Sequence, residues 1–171
     1  LNTFTIRPIS NKKNQFNYVK IISNSSSKIR ISLLPVDYIT SYNSKVPYNY
    51  NNGSMIPSKG LQQIFSPGIH FNFGLISIQL KPEYVFSENK FFNGFSENHY
   101  DVIWERRYNA WNKYDIPERF GDESFKKTYL GQSSLKLNFK NFSIGFSSEN
   151  LWWGPSIRNS IMMSNNAKGF N

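Results

Sequence analysis

Residues 68–80 read GIHFNFGLISIQL, and the alternation of apolar and polar side chains in them changes parity once. Ile69, Phe71 and Phe73 alternate with His70 and Asn72. Beyond Gly74-Leu75 the apolar positions become Ile76, Ile78 and Leu80, separated by Ser77 and Gln79. Successive side chains of a strand point to opposite faces, so a two-residue hairpin accounts for the switch. It pairs Phe73 with Ile76, Phe71 with Ile78 and Ile69 with Leu80, and puts all six apolar side chains on one face. Glycine at the first central position fits a type II′ turn, which needs a positive φ there. Slipping the register by one residue would send every apolar side chain to the wrong face, so this segment restricts the fold to a half-apolar antiparallel sheet.

Residues 134–148, SLKLNFKNFSIGFSS, repeat the device. Leu135, Leu137 and Phe139 run into a Lys140-Asn141 turn and return as Phe142, Ile144 and Phe146, with Lys136, Asn138, Ser143, Gly145 and Ser147 on the opposite face. Residues 16–22 and 28–34 are expected to pair across an SNSSS loop, with 36–42 continuing as extended chain. Residues 43–60, rich in Asn, Pro and Gly, read as a long loop. Ser96 and the acidic residues after it predict a capped helical insertion over about 97–113, with Tyr100, Ile103, Trp104, Tyr108 and Trp111 on one stripe. The order is strands, a helical insertion, then strands again, within a single domain over 1–171.

Composition narrows the function classes. The 171 residues include no cysteine, which excludes disulfides and thiolate metal sites. Only His70 and His99 remain as imidazoles, and no metal or cofactor site is expected. The net charge is +9, but the basic residues of 1–82 are spaced singly and 83–123 is locally acidic. No nucleic-acid partner is expected from that distribution. No apolar run reaches the roughly 20 residues of a membrane helix. Catalytic signatures are absent, namely the G-x-S-x-G elbow, the P-loop, the dinucleotide fingerprint and H-E-x-x-H. A glycosidase would need a second carboxylate at a fixed distance from Glu149. Glu83 and Glu88 are the candidates, and no spacing positions either.

The alternation has two physical readings. In a soluble sandwich the apolar face is the core; in an outer-membrane barrel it meets lipid and the polar face lines the lumen. Three features favour the membrane. The returning strand can run from Ile76 to Phe86, which matches the ~9–11 residues of a tilted spanning strand. Aromatic residues gather at strand ends (Phe139 and Phe142; Tyr84, Phe86, Phe91 and Phe92; Trp152 and Trp153), as interfacial girdles do. Short turns on one side oppose long connections on the other. Pro67 and Pro82 resist, since they fall opposite one another on the apolar parity and each removes a ladder donor.

Three stretches then carry a resemblance: ENLWWGPSIRNSIMMSNNAKGF (149–170), SLLPVDYITSYNSKVPYNYNNGSMIPSKGLQQIFSPGIHFNFGLISIQLKPEYVF (32–86) and DIPERFG (115–121). Together they resemble the capsule assembly protein Wzi family of Gram-negative outer membranes, from about Ile31 onward. The resemblance implies an all-β fold, part of an antiparallel up-and-down outer-membrane β-barrel, and a chain that is a piece of a longer member. It implies outer-membrane lipid and surface or capsular polysaccharide as partners, with other outer-membrane proteins in a complex as a further expectation, and no catalysis. Aromatic rings stack on sugar faces, and amide and guanidinium groups pair with hydroxyls. The polysaccharide-binding candidates are accordingly Trp152, Trp153, Arg158, Asn159, Asn165 and Asn166, with Tyr48, Tyr50 and Asn52 in the long loop. The alternatives are a structural barrel subunit of a multiprotein outer-membrane complex and a soluble β-sandwich lectin.

Overall fold

The computed structural model describes residues 19–23, 29–94, 98–111 and 120–152, with positions 161, 163, 165 and 168. Eight strands form one antiparallel sheet: β1 (Val19–Ser23), β2 (Ile29–Asn43), β3 (Gly60–Phe73), β4 (Ile76–Leu80), β5 (Glu83–Ser87), β6 (Phe125–Tyr129), β7 (Ser134–Asn138) and β8 (Ser143–Ser147). Their spatial order is β1-β2-β3-β4-β7-β8, while β5 pairs with β3 and with β6. The short hairpins make sequence neighbours into spatial neighbours, which is up-and-down topology.

Both hairpins take the register set by their parity. Ile69 faces Leu80, Phe71 faces Ile78 and Phe73 faces Ile76; Leu135 faces Phe146 and Leu137 faces Ile144. Gly74 has φ +58° and Leu75 does not share a positive value, as a type II′ turn requires. At the second turn the Phe139 N–H donates to the Phe142 carbonyl (2.8 Å), and the two rings stack at 4.7 Å. The Asn138 N–H donates to Leu75 O (2.8 Å), which ties the two turns together at one end of the sheet. The expected pairing of the first two segments is present as β1 and β2. The long connections, 44–59 and 88–124, leave from the other end.

The single strand expected over Ile76–Phe86 is broken. β4 ends at Leu80 and β5 starts at Glu83, although both keep one register against β3. Pro82 has no N–H, so the ladder cannot run through it. The irregularity extends to the neighbouring strands. β2 bulges between Leu34 and Asp37, around Pro35. Pro67 is the neighbouring position on β3, and Gly131 lies between β6 and β7. Local bonds replace the lost ladder there: Gln132 N donates to Lys81 O (3.0 Å) and Lys81 N donates to Ser133 Oγ (3.0 Å). Lys81 Nζ also reaches the Asp37 carboxylate, 2.5 Å away. Four strands therefore share one transverse crease.

Helical chain is present where an insertion was expected, but it is shorter than 97–113 within the described residues. α1 covers Asp101–Arg106, followed by a π-helical turn over Arg107–Trp111. Tyr100 holds the N-cap position with no side-chain cap bond. The intended cap, Ser96, lies outside the described residues. No residue of α1 is buried, Ile103 and Trp104 of the expected stripe included.

The core lies on one face of the sheet, called inner below. The loop after β2 folds back over it and inserts Met55 against Ile64 and Val85, with Phe125 and Tyr129 packed alongside.

The crease gives a test. Gly74 and Gly131 both have φ +58°, but a Cβ on Gly74 would meet nothing, whereas one on Gly131 would lie 2.5 Å from Lys81 O and 2.7 Å from Glu83 Cγ. Gly74→Ala is expected to cost about 1–2 kcal/mol, the left-handed penalty alone. Gly131→Ala should cost distinctly more by equilibrium denaturant unfolding. Equal losses would contradict the close packing at the crease.

Candidate functional site

The two faces of the sheet differ in chemistry, and register fixes which side chains share each rung. On the outer face, three rungs are purely apolar. They are Ile29, Phe73, Ile76, Leu137 and Ile144; then Ile31, Phe71, Ile78, Leu135 and Phe146; then Leu33, Ile69 and Leu80. The prolines of the crease come next. Beyond them Tyr38, Phe65 and Tyr84 make an aromatic rung, with Thr128 at its end. The following rung turns polar, with Thr40, Gln63, Phe86 and Lys126. Among the described residues nothing covers this face, since Phe73 is 60% exposed, Ile144 63% and Phe146 84%.

From Phe73 to Phe65 the apolar stretch of β3 is about 26 Å long at the usual rise per strand residue. That is close to the ~25 Å apolar band of outer-membrane barrels. The Gln63 amide donates to the Tyr38 hydroxyl (2.5 Å), and the Phe65 and Tyr84 rings lie 6.3 Å apart. The upper boundary of the band is thus a row of rings with polar groups on the far side.

The inner face is divided by the crease. On the turn side it is mostly polar: Ser32, His70, Gln79, Ser134 and Ser147 form one rung, and Arg30, Asn72, Ser77 and Lys136 the next, with Gly145 at its end. On the other side the long loop covers it. The loop is laced by its own asparagines. Asn43 donates to the carbonyls of Tyr48 (2.7 Å) and Ser58 (2.8 Å), Asn49 to that of Met55 (2.5 Å), and Asn52 to Asn49 Oδ1 (2.6 Å).

Two carboxylates at the crease hold the loop and the chain after β8. Glu83 is buried and accepts from Ser54 Oγ (2.5 Å) in the loop and from Gln132 Nε2 (3.0 Å). Glu149 accepts from Gln79 (3.1 Å), Ser134 (3.0 Å) and Lys136 (3.3 Å). Gln132 connects them, because its main-chain carbonyl takes the Gln79 amide (2.7 Å) and its Oε1 takes the Asn150 N–H (3.0 Å). The sequence names both acids only as isolated glycosidase candidates. Here their oxygens are taken by hydroxyl, amide and ammonium donors, and their role is to join segments. Glu88 is elsewhere, bonded to Leu61 N–H (2.7 Å) and paired with Lys90 (2.9 Å). The Leu61 N–H and then the Lys90 ammonium lower its carboxyl pKa below the ordinary value. Among the described residues no group of three or more His, Cys, Asp or Glu side chains could hold a metal.

The polysaccharide-binding candidates divide sharply. Asn52 and Asn165 come together, since the intervening Gly53 N–H donates to Asn165 O (2.6 Å). Tyr48 and Tyr50 lie exposed on the same loop. Trp152 is buried at 7% exposure, and so is Phe92, so neither ring belongs to an exposed girdle. Trp153, Arg158, Asn159 and Asn166 lie outside the described residues. The loop and the segment after β8 thus adjoin at the end of the sheet that carries the long connections.

Compared with protein families, residues 46–171 match the model of the capsule assembly protein Wzi family. The match spans well over half of the chain. The chain belongs to the Wzi family. Comparison with curated proteins and with solved structures returned no match. The matched span begins in the long loop and takes in the Glu83–Gln132–Glu149 network, so the features that hold loop to sheet lie within the Wzi family's own region.

Replacing Glu83 tests how the loop is held. Glu83→Leu leaves the Ser54 hydroxyl and the Gln132 amide without an acceptor, at a cost of about 1–3 kcal/mol. Hydrogen exchange should accelerate across 44–59 and at Asn150, while Glu83→Gln, which keeps an acceptor, should have a smaller effect. Unchanged loop exchange in Glu83→Leu would refute the anchoring role.

Proposed function

We propose that this chain forms part of an outer-membrane β-barrel of the capsule assembly type, which holds surface polysaccharide and does no covalent chemistry. The uncovered apolar outer face carries this reading. A soluble sandwich would bury that face against a second sheet, and among the described residues none is packed there. Lipid is the solvent that such a face suits, with the aromatic rung at the interface. Backbone groups in lipid must be satisfied within the protein. The outer edges of β1 and β8 are unpaired among the described residues, so closing the barrel takes strands beyond these eight.

Short turns of outer-membrane barrels face the periplasm, which puts the long connections at the cell surface. On that side lie the loop with Tyr48, Tyr50 and Asn52, and next to it Asn165. Exposed tyrosine rings supply stacking surfaces for sugars, and the asparagines supply hydrogen bonds. The rigid lacing of the loop favours binding, because little conformational freedom is left to lose. Partial burial of Asn52 and Asn165 makes the two tyrosines the stronger contacts.

A deletion strain tests the reading. Loss of the gene should lower cell-attached polysaccharide and raise the amount released to the medium. Complementation with a Tyr48→Ala, Tyr50→Ala double variant should restore the protein to the outer membrane but not polymer retention. Full retention of polymer in the deletion strain would sink the capsule role. Co-purification with a fixed set of membrane proteins in that case would favour a structural subunit.

A further inference from the structure

The order of rungs on the outer face continues past the aromatic row, and lysines stand among the further rungs. Lys126 projects from β6 beside Phe86, its Nζ 5.8 Å from the ring centroid. Lys59 and Lys90 face each other across an isolated bridge two rungs higher, on the same outward parity. Lys126 and Lys90 are exposed. Tyr42, with its hydroxyl, stands between them in height. One acid shares this surface: Glu88 pairs with Lys90 at 2.9 Å and is also held by the Leu61 N–H. Three lysines against one tethered carboxylate leave the strip net positive. At the other end of the apolar band, among the described residues, Lys140 stands in the β7–β8 turn.

We infer that this strip, Lys59, Lys90 and Lys126 above the Tyr38–Phe65–Tyr84 row, binds the phosphate of a glycolipid headgroup in the outer leaflet. The inference rests on the reading that the apolar face meets lipid. Three points choose this occupant. The lysines lie on the lipid-facing side of the sheet, so a ligand there shares the space of the bilayer. They begin one rung past the aromatic row, at the depth where headgroups replace acyl chains. Their charge complements an anion, and ammonium groups contact phosphate as point charges. Gln63 and Thr40, on the first polar rung, add hydrogen-bonding groups suited to the sugar hydroxyls of such a headgroup. A neutral headgroup would gain nothing from the lysines.

The test uses the full-length protein in detergent micelles doped with diphosphoryl lipid A, with the dephosphorylated lipid as the control and inorganic phosphate as a second probe. Partition into vesicles is measured first; a protein that stays in the aqueous phase removes the lipid-face reading itself. For protein that does partition, the phosphorylated lipid should bind and raise the melting temperature, and the dephosphorylated lipid should do so much less. Each lysine near a charged membrane surface contributes about 1 kcal/mol, so a Lys90→Gln, Lys126→Gln variant should bind roughly 30-fold more weakly. Lys140→Gln, at the opposite end, should bind like the parent. Equal binding of both lipids, or equal losses from Lys140→Gln and the double variant, would overturn the inference while leaving the barrel reading intact. Displacement of the lipid by millimolar inorganic phosphate would also overturn it, by assigning the site to a free anion.

Discussion

An apolar sheet face with no protein against it controls the rest of this structure. Each large apolar side chain left in water forgoes roughly 1.5–3 kcal/mol of burial. The three apolar rungs carry thirteen such side chains, alternating with mostly polar ones. With the outer side chains uncovered among the described residues, the protein's own core lies on the inward side. That is where Met55 enters from the loop to meet Ile64 and Val85. The usual arrangement of a soluble sheet, apolar inside and polar outside, is reversed over the turn half of these strands.

The crease links the two faces. At one level Pro35 lies in a bulge of β2, Pro67 is left unpaired in β3, Pro82 separates β4 from β5, and Gly131 lies between β6 and β7. A proline carries no donor, so breaking the ladder at prolines strands fewer N–H groups than breaking it elsewhere. On the inner side, the break gives Glu83, Gln132 and Glu149 room to act as acceptors and donors between segments that are not sheet neighbours. The loop that carries the exposed tyrosines is therefore fixed to the sheet by polar bonds at the crease and by one methionine beyond it. A surface loop held this way presents its rings in a constant position.

Much of the sheet was legible from parity alone. Both hairpins, their registers and the common direction of their turns followed from positions 69–80 and 135–146, because period-two alternation is a local signal that burial leaves intact. The long loop was legible from its Asn, Gly and Pro content, and its bounds differ by one residue at each end. The break in the strand after Ile76 was visible only as a conflict, two prolines facing each other, and its extension to Pro35 and Gly131 needed the neighbouring strands. The helical insertion was legible from its aromatic stripe and acidic start, and helical chain runs from Asp101 to Trp111, although no residue of α1 is buried. At the site, the Glu83–Gln132–Glu149 chain joins residues up to 70 positions apart through side-chain amides, which leave no periodic mark in a sequence. Trp152 was legible as an aromatic residue next to a turn, but its burial carries no local mark in the sequence.

The most direct test of the central claim uses the absence of native cysteine. Single cysteines introduced in turn at 69 to 73 and 76 to 80 would be spin-labelled in lipid vesicles, and each label's accessibility to oxygen and to a water-soluble nickel chelate measured. Labels at 69, 71, 73, 76, 78 and 80 should be open to oxygen and closed to nickel. Labels at 70, 72, 77 and 79 should show the reverse, giving a period of two whose phase inverts across Gly74-Leu75. Nickel access at Phe71 and Ile78 equal to that at Asn72 and Ser77 would mean that the apolar face meets water, and the account of a lipid-facing sheet would fail.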